Sequence, residues 1–369
     1  MAEPLKYMYN DRFFKQLTLH CAEIIPGFNA GLFNANFATA EWEGLELKQR
    51  VRHAAKALAG QLTGKYKQDI KVVTQLIKHI QKELGDVSTF QHIFLADYIE
   101  LYGIDHPVES LKAMEYATIL SSCEFAIRPF IVKYPEQVMA QMLAWTQHKH
   151  ASIRRLASEG CRPRLPWGMA LAAHKKDPAH VLPILEALKN DPSEYVRKSV
   201  ANNLNDIAKD NPDVVKDIIK RWQGNSKETD WILKHGSRTM LKKADEHTLS
   251  LFGVSAVKSV QVKDLAVKNA SISIGGELNF SFTLSHKEPK PTLLRVEYMI
   301  YYMKASGTPG KKIFKVTENT FEPNKPYTIA RKQSFKDMTT RKHYPGLHQL
   351  AIVVNGVEQA KVSFDVKMA

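Results

Sequence analysis

The sequence predicts a mainly α-helical solenoid followed by a small all-β sandwich, and three observations predict it. Up to about Phe252 the chain is a succession of amphipathic segments with helical spacing, broken by Pro or Asn-Asp. Within that part, one unit of helix, turn and helix recurs. After Ser255 the pattern changes to alternation in short runs separated by glycine-containing turns. The expected domains are residues 1–254 and 255–369.

The helical part is justified copy by copy. Pro135-Glu136-Gln137-Val138 leads after ten residues to Trp145 and after eighteen to Ile153-Arg154-Arg155. Pro178-Ala179-His180-Val181 leads after ten to Leu188 and after eighteen to Val196-Arg197-Lys198. Pro212-Asp213-Val214 reaches Trp222 after ten and, with two extra residues, Ile232-Leu233-Lys234. A weaker copy begins at Pro107 and ends near Ile127-Arg128. Proline suits the first helical position, where its missing N–H has no partner to lose. A period of roughly 35–43 residues built this way is that of a HEAT-like solenoid, whose second helices line a concave side. Trp145 and Trp222 hold the internal position of their copies and are expected in the core.

The second half is justified strand by strand. Leu278–Leu284, Leu294–Tyr301, Ile313–Val316, Tyr327–Ala330, Leu347–Val354 and Val357–Val366 alternate as half-buried strands. Gly275-Gly276, Gly307-Thr308-Pro309-Gly310 and Asn355-Gly356 supply turns, the last a hairpin signal. About seven short strands in this length suggest an immunoglobulin-like sandwich, here without the cysteine pair of antibody domains.

Charge narrows the partner. The chain carries a formal +14, and residues 256–369 hold 18 Lys and Arg against 9 Asp and Glu, a net of +9. Such a balance favours a polyanion, with nucleic acid the commonest. Lys304, Lys311, Lys312 and Lys315 flank one long turn, and Arg331, Lys332, Lys336, Arg341 and Lys342 crowd another region. Basic turns at the end of a sandwich suit phosphate contact without base reading, although solvated loop lysines look the same. No apolar run approaches the ~18–20 residues of a spanning helix, and the first residues lack an apolar leader. Cys21, Cys123 and Cys161 are too few and too scattered for a disulfide framework or a metal site. A soluble cytoplasmic protein, nucleoid-associated and monomeric, with no membrane partner, no metal and no cofactor, is expected.

The richest segment runs from Arg154 to Trp167. Ile153, Leu156, Ala157, Gly160 and Cys161 follow the spacing of a buried stripe, which puts Arg155, Glu159 and Arg162 together on the opposite face. Superposing the copies aligns Glu159 with Asn202 and Arg238, and Arg162 with Asn205; Asp206 lies one turn beyond Asn202. Glu124 and Arg128 are i, i+4 partners one copy earlier. The concave surface is thus expected to carry Glu124, Glu159 and Asp206 among Arg128, Arg155, Arg162, Arg197 and Arg238. A salt bridge explains any one of these acids, but three in a polyanion groove weaken binding and need a compensating role.

That role can be chemical. Hydrolysis of an N-glycosidic bond passes through an oxocarbenium-like sugar, which carboxylates stabilise while placing water. An alkylated, cationic base leaves without a strong general acid, and an aromatic face can hold it by cation–π attraction. Trp167, fixed after Pro163 and Pro166, suits that task or an inter-repeat core, and Trp231 is equally open. Phosphate-loop, H-E-x-x-H and G-x-S-x-G signatures are missing, and three isolated cysteines support no thiol enzyme.

The chain resembles the AlkC-type DNA alkylation repair glycosylases, a HEAT-like group related to the AlkD type. The resemblance covers about residues 1–250. It rests on Glu43-Gly44-Leu45-Glu46-Leu47-Lys48-Gln49-Arg50-Val51-Arg52, Glu124-Phe125-Ala126-Ile127-Arg128-Pro129-Phe130, Glu159 to Trp167, and Trp231-Ile232-Leu233-Lys234-His235-Gly236. It implies excision of N3-alkylated bases such as 3-methyladenine and 3-methylcytosine from double-stranded DNA, without the usual extrusion of the lesion. It further implies Glu159 and Asp206 beside the sugar, Glu124 at or behind the base, Trp167 stacked at the lesion, and arginines on phosphates. The sandwich, with Lys311 and Lys312, becomes an added DNA clamp. No lysine is evident in the carboxylate cluster, so a monofunctional glycosylase using water is expected rather than a Schiff-base lyase. The alternative is a non-catalytic scaffold that binds nucleic acid or protein through the same concave face.

Overall fold

The computed structural model describes residues 4–85, 87–242, 246–338 and 342–368. The chain separates into two compact units, with the division between Ser237 and Arg238. The sequence pattern puts that boundary at 254/255. The difference lies in two short helices, Arg238–Lys242 and Glu246–Leu251, which are helical in sequence but belong to the second unit. Leu241, Leu249 and Val254 bury there against Phe252 and Leu293, and that small core ties the helices to the strands. Among the described residues no helix is long and apolar enough to cross a membrane.

The first unit is helical throughout. Helices Pro107–Leu120 and Ile127–Lys133, Pro135–Trp145 and Ala151–Gly160, Leu182–Leu188 and Glu194–Asp210, and Pro212–Trp222 and Lys227–Gly236 are the expected pairs. Pro107, Pro135 and Pro212 start their helices as expected. Pro178 does not: it sits in a turn, with Val181 N–H donating to its carbonyl at 2.8 Å, and the helix begins at Leu182. Second helices pack on one another in series, Ala151–Gly160 on Glu194–Asp210 and that helix on Lys227–Gly236. Arg154 bolts two copies together, its Nε and Nη2 donating to Asp191 at 2.6 and 3.0 Å. Trp145 and Trp222 are buried, and each indole N–H finds a glutamate, Glu115 at 3.0 Å and Glu186 at 2.6 Å.

Gly160 is required by close packing. A Cβ there would lie 2.7 Å from Ile127 Cγ2 and 3.1 Å from Met142 Cε. Two neighbouring helices therefore approach the end of the Ala151–Gly160 helix more closely than any larger residue allows. This closeness brings the loop before Ile127 alongside the face that carries Arg155 and Glu159.

The second unit is a two-sheet sandwich. Its strands are β1 (Gln261–Val267), β2 (Ser271–Ser273), β3 (Glu277–Ser285), β4 (Thr292–Met303), β5 (Pro309–Phe321), β6 (Tyr327–Ser334), β7 (Gly346–Val354) and β8 (Val357–Lys367). One sheet has the order β1-β3-β6 and the other β2-β8-β7-β4-β5, antiparallel except for the β2–β8 pair. Leu278, Phe280, Phe282 and Leu284 of β3 meet Leu294, Val296 and Ile300 of β4 and Leu350, Ile352 and Val354 of β7 in one core. Alternation in sequence placed these residues correctly because side chains of successive strand residues point to opposite faces. The Asn355-Gly356 hairpin forms with both residues at positive φ, 48° and 83°. Strands β1 and β2 lie outside the runs recognised in sequence, and β5 is far longer than Ile313–Val316.

Candidate nucleic-acid site

The site is built on the Ala151–Gly160 helix. His150 caps its start, accepting from Ser152 N–H at 3.2 Å. Ile153, Leu156, Ala157, Gly160 and Cys161 are all buried, as their spacing predicts. Burial pushes the Cys161 thiol up to about 12, so it is no nucleophile at neutral pH. The opposite face joins neighbours on both sides into one continuous row of alternating charge.

That row begins at Ser122, whose hydroxyl donates to Glu124 Oε2 at 2.8 Å. Arg155 Nη1 donates to Ser122 Oγ at 2.9 Å and pairs with the same Glu124 oxygen. Arg155 Nη2 lies 3.3 Å from Glu159 Oε1, to which Arg162 Nη1 donates at 2.6 Å. Arg162 Nε then donates to Asp206 Oδ2 at 2.8 Å, and Lys209 Nζ to Asp206 Oδ1 at 2.9 Å. Glu159 is 5% exposed and Asp206 1%. Carboxylates so buried stay in place only because each is paired. Burial pulls the guanidinium groups of Arg155 and Arg162 down, but the adjoining carboxylates outweigh it and both end above the ordinary arginine value.

The carboxylates are held unequally. Both arginines engage Glu159 through Oε1, and Glu124 is engaged through Oε2; Glu159 Oε2 and Glu124 Oε1 take part in neither pair. Asp206 has both oxygens committed. Tyr195, about half exposed, lies with its ring centroid 4.9 Å from the Arg155 guanidinium and extends the row sideways with an aromatic face.

Trp167 stands at the rim. Its φ of 65° is a left-handed conformation unusual for so bulky a residue, and its side chain is 61% exposed. Lys48 donates to the Trp167 carbonyl, and Leu171 N–H closes the loop on the Pro163 carbonyl at 3.1 Å. Trp231 is also exposed and stacks on His235 at 5.0 Å.

The structure brings together Glu124, Arg155, Glu159, Arg162 and Asp206, and separates other expected residues from them. Arg128 is a correction: it is fully buried and does not pair with Glu124. Its Nε and Nη1 donate to the carbonyls of Met169 and Gly160 at 2.7 and 2.8 Å, so it organises the Trp167 loop and reaches no phosphate. Burial also lowers its guanidinium to about 10. Arg197 donates to the carbonyls of Asp191 and Pro192 at 2.8 and 2.9 Å and so closes the turn before its own helix. Arg238, aligned with Glu159 in the repeat, opens the second unit instead. Lys311 and Lys312 are exposed and lie near the start of β5, flanking the turn that joins it to β4. There they also guard the edge of the five-stranded sheet. Arg341 lies outside the described residues.

Three members of the row were not recognised in sequence. Lys209 stands i+3 from Asp206 on one helix, a spacing that was there to be read. It corrects the expectation that no lysine joins the carboxylates, although its nitrogen is occupied by Asp206. Ser122 and Tyr195 gave no signal, since their roles depend on contact with Arg155 from other copies of the repeat.

Two family models match the chain. One described as a DNA alkylation repair enzyme covers residues 108–248, and a C-terminal immunoglobulin-like domain named for the uncharacterised protein YhaZ covers residues 261–368. An uncharacterised protein of Bacillus subtilis, YhaZ, is 43% identical over 98% of this chain and 99% of its own length. Among solved structures, the alkylpurine DNA glycosylase AlkC of Pseudomonas fluorescens, bound to DNA containing an abasic-site analogue, is 36% identical. It superposes with a TM-score of 0.92 over 99% of this chain and the whole of that one.

Proposed function

Since the chain belongs to the AlkC-type DNA alkylation repair family, we propose that it is a DNA glycosylase that releases cationic N3-alkylated bases from duplex DNA. The observation that carries the proposal is the Glu124–Arg155–Glu159–Arg162–Asp206 row. It answers the difficulty of placing acids where a polyanion must bind. Each carboxylate is neutralised by an adjoining arginine until a sugar cation forms beside it.

In this reading Glu159 Oε2 and Glu124 Oε1 face the developing oxocarbenium and a water. The C1′–N bond breaks with its electron pair going to the base, which leaves neutral because it entered cationic. Water then bonds to C1′ and passes its proton to a carboxylate, giving an abasic site. Asp206 acts through Arg162, holding it against Glu159. Trp167 stacks at the lesion, with 3-methyladenine and 3-methylcytosine as the bases excised and no conventional base flipping. Lys209, tied to Asp206, does not attack C1′, so the enzyme is monofunctional. The chain acts as a monomer in the cytoplasm, with Lys311 and Lys312 of the sandwich on phosphates.

The test is release of free base from methylated duplex DNA by the wild type and by Glu159→Gln. Release by the wild type that falls steeply in the variant supports the proposal. DNA binding without release, or full release by the variant, contradicts it.

A further inference from the structure

Beside the charged row lies a cavity of about 510 Å³ for which the reaction as described has no use. Its size falls within the ~300–1,000 Å³ of small-ligand sites. Phe90, Ile93, Ala96, Phe125 and Pro129 supply apolar and aromatic wall, and Trp167 contributes from the rim. Arg52 occupies a polar end. Its Nε and Nη2 donate to Asp97 at 2.6 and 3.0 Å, and Nη2 also to Glu100 at 3.3 Å.

Two features fix what the cavity suits. First, its charges balance: Lys48, Arg52 and Lys56 stand against Glu41, Asp97 and Glu100. A phosphate or nucleotide site would carry a cationic excess. Flat walls with balanced polar groups suit an uncharged heteroaromatic ring bearing both donors and acceptors. Second, it adjoins the site of cleavage. Its lining residues Ser122 and Phe125 flank Glu124 in sequence, and Ser122 is bonded to both Glu124 and Arg155.

We propose that this cavity binds the freed alkylated base, taking up the neutral ring once the glycosidic bond has broken. The inference rests on the glycosylase reading for its choice of ligand. Phe90 and Phe125 hold the ring faces, and Glu100, whose carboxyl burial raises to about 7, offers both a donor and an acceptor to the ring edge near neutral pH. Occupation of the cavity inhibits the enzyme by product.

Isothermal titration of the full-length protein with free 3-methyladenine, in the absence of DNA, tests this. Stoichiometric binding is expected, with Kd raised about tenfold in Phe90→Ala and in Glu100→Ala while the melting temperature stays within a few degrees. No binding by the wild type, or wild-type affinity in both folded variants, overturns the proposal. Should the variants fail to fold, a crystal of the wild type soaked with the base decides. Density in this cavity supports the proposal, and density elsewhere or none overturns it. Because no DNA is present, failure here is separate from failure to release base from methylated DNA, which would sink the glycosylase reading.

Discussion

At Glu159 the two carboxylate oxygens have different employment, and that difference organises the site. Oε1 is shared by Arg155 and Arg162, which fixes the side chain and offsets the cost of burying its charge. In the proposed reaction Oε2 is the oxygen that faces the sugar. Asp206 has both oxygens committed, to Arg162 and Lys209, and in the proposed reaction it acts by positioning Arg162. A second carboxylate, Glu100, titrates where few glutamates do. Burial first and the Asp97 charge second raise it to about 7, against the pull of Arg52. The folded chain therefore holds a proton there that the unfolded chain has released above about 4.5, and the stability linked to this group falls as pH rises from 4.5 through 7. Glu100→Gln removes that loss, so its melting temperature should exceed that of the wild type by more at pH 8 than at pH 5. Thermal melts at the two pH values check this; a difference independent of pH, or larger at pH 5, contradicts it.

At the scale of elements, the helix pairs were legible because their signals are local: proline at the first position, a buried residue ten on, an arginine-bearing helix after that. The same holds for β3, β4, β7 and β8, whose core residues recur at every second position. What was not legible depends on elements meeting across tens of residues. Nothing near Arg128 in sequence says that the Trp167 loop will cover it, yet that contact turns an expected phosphate ligand into a buried brace. Likewise β5, at a sheet edge, needs no apolar residue at its exposed positions, so only its middle resembled a strand. Gly160 tests how tightly the elements are fitted. Gly160→Ala places a methyl 2.7 Å from Ile127 Cγ2 and should destabilise the fold by about 1–2 kcal/mol, the gain in helix propensity offsetting part of the overpacking. Denaturant unfolding measures this; an unchanged midpoint would mean that the helices separate freely.

At the scale of the whole molecule, the +14 charge and the row of compensated acids serve one purpose. In the proposed reaction they let the chain bind a polyanion and still keep carboxylates where a cation forms. The sandwich carries +9 of that charge, and Lys311 and Lys312 are exposed on it. If they neutralise phosphates, Lys311→Ala/Lys312→Ala should flatten the plot of log affinity against log salt by about 2, at roughly 0.9 for each phosphate left without its lysine. An unchanged slope would remove them from the interface and leave them as guards of the β5 edge. Under the proposed function Glu159 stabilises the transition state of base release. The most direct test is the single-turnover rate of base release from N3-methylated duplex DNA, with enzyme saturating, for wild type and Glu159→Gln. A loss of about 10²-fold or more in rate is expected, with DNA affinity at or above that of the wild type because a negative charge has left the groove. Equal rates for the two proteins would contradict it.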